Sequence, residues 1–369
     1  MEVVENKLKS DFRFLMSIVG FLILIGLIFI YSSSSVFALE KFGVASYFLR
    51  KQLFFLIPSI VGFIIFAIIP ISFLKKYSPI FFVLALIFNL LTFIPFVGLK
   101  IHGSSRWLSI FGFSMQPSEI LKLFLFIYVG FFLEKKHRKV ASFIHSYLPF
   151  LTVLGITFFI LLKQPDFGTA VTIFITAFFL LFVAEFKLFY LFATIIVTIP
   201  VGIFLIVSKA YRLHRILIFM DPWIDPQGRG FQIIQSLIAI GSGHLWGVGI
   251  SNSSQKFFYL PMQHTDFIFP IIAEETGFVG SFLIVALYFL FCYFGLRLAL
   301  RLESSFAFFT TLGFIILISL QAAINLMVTT GLLPTKGFGL PFISYGGSAL
   351  LSLFCMMGLI ANFVRRQKV

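Results

Sequence analysis

Asp266 closes a polar stretch, Gln263-His264-Thr265-Asp266, and stands directly before a long apolar run. A carboxylate at such a boundary loses solvation and becomes a stronger base than free aspartate, which suits it to accept a proton from an attacking hydroxyl. The position equally suits helix capping, for which Asp is a favoured residue. Lys256, Tyr259 and His264 lie just upstream, and the pair Glu274-Glu275 follows within the apolar run.

A second set opens another apolar run at Gln116-Pro117-Ser118-Glu119-Ile-Leu-Lys122. Pro117 fits the first turn of a helix, and Glu119 and Lys122 at i, i+3 share one helix face. Such groups are costly at membrane depth, so they either neutralise each other within the packing or line the wall of a polar cavity. The preceding loop supplies Lys100, His102, Arg106 and Trp107, and the planar fork of an arginine matches phosphate oxygens. The turn Lys163-Gln164-Pro165-Asp166-Phe167-Gly168 offers Gln164 and Asp166, though Pro, Asp and Gly occur in any turn. A last glycine-rich stretch, 331–348, carries Lys336, Ser344 and Tyr345. Irregular backbone beside a membrane is tolerated only where protein buries it or a cavity hydrates it, so this stretch is predicted to fold back onto its own helices. Lys336 would then be available to an anion.

Other chemistries are excluded. Gly241, Gly243, Gly247 and Gly249 fit neither phosphate-loop spacing and follow no strand, which argues against a nucleotide. No His, Cys and carboxylate set has zinc spacing, and no Ser/His/Asp arrangement is readable. Cys292 and Cys355 lie inside apolar runs as small hydrophobes.

The elements that must position these groups are membrane helices. Of the 369 residues 60% are hydrophobic and 11% charged, against about 25% charged in soluble domains. The mean hydropathy is +1.06. Apolar stretches near the roughly 20 residues needed to cross a bilayer fall at 14–31, 53–74, 79–99, 117–133, 147–162, 168–184, 188–207, 267–295, 305–330 and 347–364. The prediction is an all-α integral membrane protein, a bundle of ten helices over 1–369 with one large structured outer loop at about 208–266. The segment Phe231–Ile240 in that loop suits an amphipathic helix. Val36-Phe37-Ala38 resembles a signal cleavage site, but the apolar core before it is too long for a signal peptide.

The net charge is +14. Its basic residues sit in short clusters between apolar runs, as membrane anchors do, and not on one polar face, so nucleic acid is not expected. Lys7, Lys9, Arg13, Lys75, Lys76, Lys135, Lys136, Arg138, Lys139, Lys187, Arg297, Arg301, Arg365, Arg366 and Lys368 all fall on one side of the predicted topology. That side is the cytoplasm, with both termini. The chemistry-bearing residues fall on the other.

Four stretches in order, "GSSRWL…QPSEILK", "QPDFGTA", "QKFFYLPMQHTDFIF…EE" and "GLLPTKGFGLPFISYGGS", make the chain resemble the SEDS family (shape, elongation, division and sporulation). Pro334-Thr335-Lys336-Gly337 and Gln255-Lys256-Phe-Phe-Tyr-Leu-Pro look closest to its FtsW branch, with the RodA branch second. Met262-Gln263 departs from the family, where Glu followed by a small or basic residue is frequent. The resemblance implies a peptidoglycan glycosyltransferase of the bacterial cytoplasmic membrane, polymerising lipid II into β-1,4 glycan strands on the outer face with inversion. It also implies a divalent cation (Mg2+ or Mn2+), a class B penicillin-binding protein as partner, and other proteins of a division or elongation complex. Asp266 would be the base. Arg106, Lys122 and Lys336 would meet the diphosphate, Glu119 would orient Lys122, and the aromatic segment around Tyr259 would line a groove. Trp107, Gln164, Asp166, Lys256, His264, Ser344 and Tyr345 are supporting candidates. The rival functions are a lipid II flippase, which needs a polar path reaching both leaflets, and a noncatalytic scaffold for the partner synthase.

Overall fold

The computed structural model describes residues 2–367 apart from 96, 102–103, 111–112, 137–141, 209, 229, 256–262 and 336. Lys256, Tyr259, Lys336 and His102 lie outside the described residues. The described chain is mostly helical: α1 (Glu2–Phe42), α2 (Tyr47–Ile68), α3 (Ile71–Leu90), α4 (Pro117–Lys136), α5 (Leu148–Lys163), α6 (Phe167–Val183), α7 (Leu188–Val207), α8 (Ala210–Met220), α9 (Phe231–Ser242), α10 (Ile268–Leu300), α11 (Ser305–Thr329) and α12 (Gly347–Arg366).

Eight of these, with short flanking turns, are long and apolar enough to cross a membrane. The other two predicted spans coincide with α4 and α6. The first is 20 residues long but carries Glu119, Lys122 and three charges in its last turn; the second is apolar but only 17 residues long. Length and composition therefore leave the count of ten open. Apolar side chains cover the outside of the bundle, Phe189, Phe204 and Phe289 each being at least 70% exposed. Lipid-facing surface of this kind has no place on a water-soluble fold.

Two boundaries differ from the prediction for identifiable reasons. Helix α1 continues past residue 31 through Ser32-Ser33-Ser34-Ser35 to Phe42. The hydroxyls of Ser33, Ser34 and Ser35 donate back to carbonyls three or four residues earlier, so the run stays helical instead of breaking. A small antiparallel sheet, absent from the prediction, fills the α3–α4 connection: β1 (Gly98–Ile101), β2 (Ser104–Ile110) and β3 (Phe113–Met115) in the order β1-β2-β3.

The described residues of the 208–266 connection include two helices, α8 and α9, and α9 forms where an amphipathic helix is predicted. It buries Ile233, Ile234 and Ala239 and is pinned by Ser236 Oγ donating to the Thr329 carbonyl at 2.6 Å. The glycines after it have a structural use. Helix α10 is interrupted at Gly277, whose φ of 66° is left-handed. Residues 244–249 exchange four backbone hydrogen bonds with Glu274, Glu275, Phe278 and Val279 there. Backbone groups freed by the break are thus paired within the protein.

One end of the bundle gathers the candidate residues. It comprises the last turns of α3, α5 and α11, the first turns of α4, α6, α10 and α12, and the sheet. Gln164 Nε2 donates to the Asn89 carbonyl and to Thr92 Oγ1, both at 2.9 Å, and Gln116 N donates to Ser348 Oγ at 3.0 Å. Basic residues mark the opposite end, where Arg301 and Arg297 pair with the buried Asp11 and Lys75 pairs with Glu134.

Candidate functional site

The segment preceding α10 and the glycine-rich stretch preceding α12 are stitched together. Tyr345 N donates to the His264 carbonyl at 3.0 Å, and Ser344 Oγ donates to the Thr265 carbonyl at 2.6 Å while accepting from Leu340 N at 2.7 Å. The stretch folds back into the bundle as expected. Phe342 and Ile343 are buried, the backbone of Ile343 rests on Gly26 of α1, and Tyr288 Oη donates to the Pro341 carbonyl.

Asp266 sits in this seam. It does not cap α10, whose flanking residue is Phe267 with no side-chain cap. Its carboxylate lies against Gly337, where a Cβ would come within 2.9 Å of Oδ2. Burial pushes the Asp266 carboxyl up to about 6, and the positive charge of Arg106 pulls against that rise. A partly desolvated carboxylate held near neutrality is poised to take a proton. Replacing Gly337 by Ala is expected to displace it and cut turnover by about tenfold or more. The folded yield should stay near that of the parent, since the new methyl meets one side-chain oxygen; size-exclusion profiles beside turnover rates check both.

Arg106 reaches the site from β2. Alternation along the strand puts it on the face of Leu108, which is 1% exposed, and puts Trp107 on the other. Its Nε donates to the Gln164 carbonyl at 3.2 Å and its Nη2 to the Pro165 carbonyl. Its Nη1 lies 3.7 Å from Asp166 Oδ1. Asp166 caps α6 by accepting from Thr169 N and also receives Ser118 Oγ, each at 3.5 Å. Gln164 and Asp166 therefore act as the mount for Arg106.

Glu119 and Lys122 are buried one turn into α4. Lys122 Nζ lies 2.8 and 2.7 Å from the two Glu119 oxygens and 3.2 Å from Gln321 Oε1. Gln321 in turn donates to the Gly339 carbonyl at 3.4 Å. Lys122 is buried in this structure, and its ammonium faces the Glu119 carboxylate and the Gln321 amide oxygen. The pair joins α4 to the glycine-rich stretch through Gln321. Lys122→Met should destabilise the protein by about 3 kcal/mol, since a buried carboxylate loses its counter-charge. Adding Glu119→Leu should recover part of that loss, and thermal melts of both variants check the sign.

His264 lies among rings, 4.2 Å from Phe48 and 5.7 Å from Tyr345 between centroids. Burial lowers its imidazole to about 4, so it is neutral at physiological pH. The Tyr345 phenol is pushed up to about 12 by burial and by Tyr47. His264, Ser344 and Tyr345 thus hold the seam without exchanging protons near neutrality. The described residues contain no group of three His, Cys, Asp or Glu able to hold a metal ion.

Two residues were missed at the sequence level, Gln321 and Asn325 of α11. Asn325 Nδ2 donates to the Asp266 carbonyl at 2.8 Å and to the Phe338 carbonyl. The signal was present, because these are polar side chains at i, i+4 inside a long apolar run.

Known proteins resemble this chain over nearly its whole length. Residues 13–369 match the protein family described as "Cell cycle protein", which groups FtsW, RodA and SpoVE. A probable peptidoglycan glycosyltransferase FtsW from Geobacter sp. (strain M18) is 39% identical over 343 residues, covering 93% of this chain and 94% of its own. Stage V sporulation protein E of Bacillus subtilis (strain 168) is 37% identical, covering 98% and 99%. A solved structure titled "Structural coordination of polymerization and crosslinking by a peptidoglycan synthase complex" superposes with a TM-score of 0.78 at 27% identity, covering 96% of this chain and 98% of its own. RodA of Thermus thermophilus shares the fold, with a TM-score of 0.70 at 23% identity over 96% and 97% of the two chains. The chain belongs to the FtsW/RodA/SpoVE family of multi-pass membrane proteins, the SEDS family.

Proposed function

We propose that this chain is a peptidoglycan glycosyltransferase that joins lipid II units into β-1,4 glycan in cell division or wall growth. The observation that carries this reading is Asp266, half-hidden from water in a seam of backbone, with the Arg106 charge close enough to act on it. A sugar hydroxyl that attacks the anomeric carbon must give up its proton, and Asp266 is the group to receive it. The bond from that carbon to the diphosphate breaks, and the diphosphate leaves on its lipid with the electron pair. Attack opposite the leaving group turns an α-linked donor into a β-linked product.

Diphosphate is a good leaving group and calls for positive charge in place of an acid. Arg106 is the described residue best placed to supply it, and Lys336 remains a candidate through its place beside Gly337 in the chain. Lys122 serves by holding the glycine-rich stretch. The described residues form no three-ligand cage for a divalent cation. Such an ion would have to rest largely on substrate oxygens, a common habit of Mg2+.

Basic residues crowd the end away from Asp266, which supports a cytoplasmic placement of that end and both termini. Asp266 then faces the outside of the bacterial inner membrane. The likeness to a synthase complex supports a class B penicillin-binding protein as partner. Purified chain, with such a partner, is expected to convert fluorescent lipid II into a ladder of strands on a gel. Movement of lipid II across vesicle membranes with no polymer formed would instead identify a flippase, and stimulation of a partner's polymerisation with none intrinsic would identify a scaffold.

A further inference from the structure

Three buried asparagines in this fold make the same double contact. Asn89 donates to the carbonyls of Ala85 and Pro117 at 2.8 and 3.2 Å. Asn362 donates to those of Phe66 and Ile69 at 2.8 and 2.7 Å. Asn325 donates to those of Asp266 and Phe338. In each case one amide nitrogen serves both acceptors and the Oδ1 is buried without a hydrogen-bond partner among the described residues. A buried amide kept with half its bonding unmet is retained for what its donors hold.

Asn89 and Asn362 each hold helix ends together. Asn325 differs, because its acceptors are the backbone of the proposed base and the backbone next to Gly337. Asp266 and Phe338 are 72 positions apart in the chain, and Asn325, 2% exposed on α11, bridges them. The Gly337 contact with Asp266 Oδ2 lies one residue from the Phe338 carbonyl.

We infer that Asn325 is a positioning residue for Asp266, its side-chain amide joining the backbone of the base to the glycine-rich stretch and so fixing where the carboxylate stands. The inference rests on the reading of Asp266 as the base. Loss of the clamp leaves two carbonyls without their donor and lets the two strands of the seam part. The carboxylate then moves from its place and regains water. Of the rings at the seam, His264 is neutral above about 4 and Tyr345 below about 12, and Arg106 from β2 bears on the carboxylate as a positive charge.

The test compares Asn325→Leu with Asn362→Leu in the full chain with its partner, using fluorescent lipid II. Both changes remove two amide hydrogen bonds, so melting temperatures should fall alike. Asn325→Leu alone should lower kcat by about 10- to 100-fold, with KM nearly unchanged, and should move the acid limb of the pH profile to lower pH. Equal effects of the two variants on kcat, or a fall in Asn325→Leu with the acid limb unmoved, would overturn the inference. If Asn325→Leu does not yield a monodisperse protein, Asn325→Ser takes its place; it keeps at most one donor, and parental kcat in it would overturn the inference equally. Full activity in Asp266→Ala would instead remove the reading beneath it, so the two failures are told apart.

Discussion

Asp266→Ala is expected to lose glycan polymerisation by about 10²- to 10⁴-fold, the usual contribution of a general base, and to remain folded. Folding should survive because the ties of this segment are made by its backbone. The Asp266 carbonyl keeps Asn325, the Thr265 carbonyl keeps Ser344 and the His264 carbonyl keeps Tyr345. A sharper form of the experiment is Asp266→Asn, which preserves shape and removes the charge. Burial raises the carboxyl from 3.8 to about 6, so the folded state holds its proton more tightly than the unfolded chain does. A group shifted in that direction favours folding below about 3.8 and loses that contribution as pH rises through about 6. At pH 8 the parent therefore carries the cost of a partly buried charge, and Asp266→Asn does not. Its melting temperature should exceed that of the parent at pH 8, with the gap closing as pH falls through 6. An inactive protein that melts higher than the active one is the expected mark of a functional carboxylate placed against the interests of stability.

Arg106→Gln is the second large effect. It removes a charge that acts on Asp266 and that the proposed function assigns to the developing diphosphate, and a loss of roughly 10²-fold in kcat/KM is expected from a displaced electrostatic group. The direction of the accompanying pH change is specific. Arg106 holds the Asp266 carboxyl down against burial, so without it the carboxyl rises further and the acid limb moves to higher pH. Arg106→Lys keeps the charge but cannot span the Gln164 and Pro165 carbonyls with Asp166 as the planar fork does. It should retain the parental acid limb while still losing turnover. Rates measured across pH for the three proteins separate charge from geometry. The opposite shift expected of Asn325→Leu makes the pair of predictions hard to satisfy by general damage.

Much of the scaffold is legible in the sequence because apolar runs of membrane length are a local signal. Each predicted span has a helix at its position, and Asp166, read as turn chemistry, caps α6. The sheet between α3 and α4 was not legible. Its strands are 4, 7 and 3 residues long, and they hold by pairing with one another, β2 with β1 on one side and β3 on the other. The first predicted span ends at residue 31, before the serine run, whereas in the fold Ser33, Ser34 and Ser35 bond back along α1 and Ser32 bonds across to Glu275. Partners far apart in the chain were equally hidden. Glu119 and Lys122 were visible as a pair, but Gln321, which turns that pair into a brace, lies 199 residues from Lys122. Asp266 stood out by its place at the head of an apolar run, whereas the backbone seam that desolvates it depends on residues 338–345 and on Asn325.

The pH dependence of kcat/KM for lipid II polymerisation reports the free enzyme's titrating groups and so examines Asp266 as it stands in this fold. From about pH 4.5 to about pH 8, the rate should climb tenfold per unit and level off near 6, the value to which burial brings the Asp266 carboxyl. A profile that is flat across that range, or one whose break stays in place when Arg106 is replaced by Gln, would contradict the assignment of Asp266 as the base.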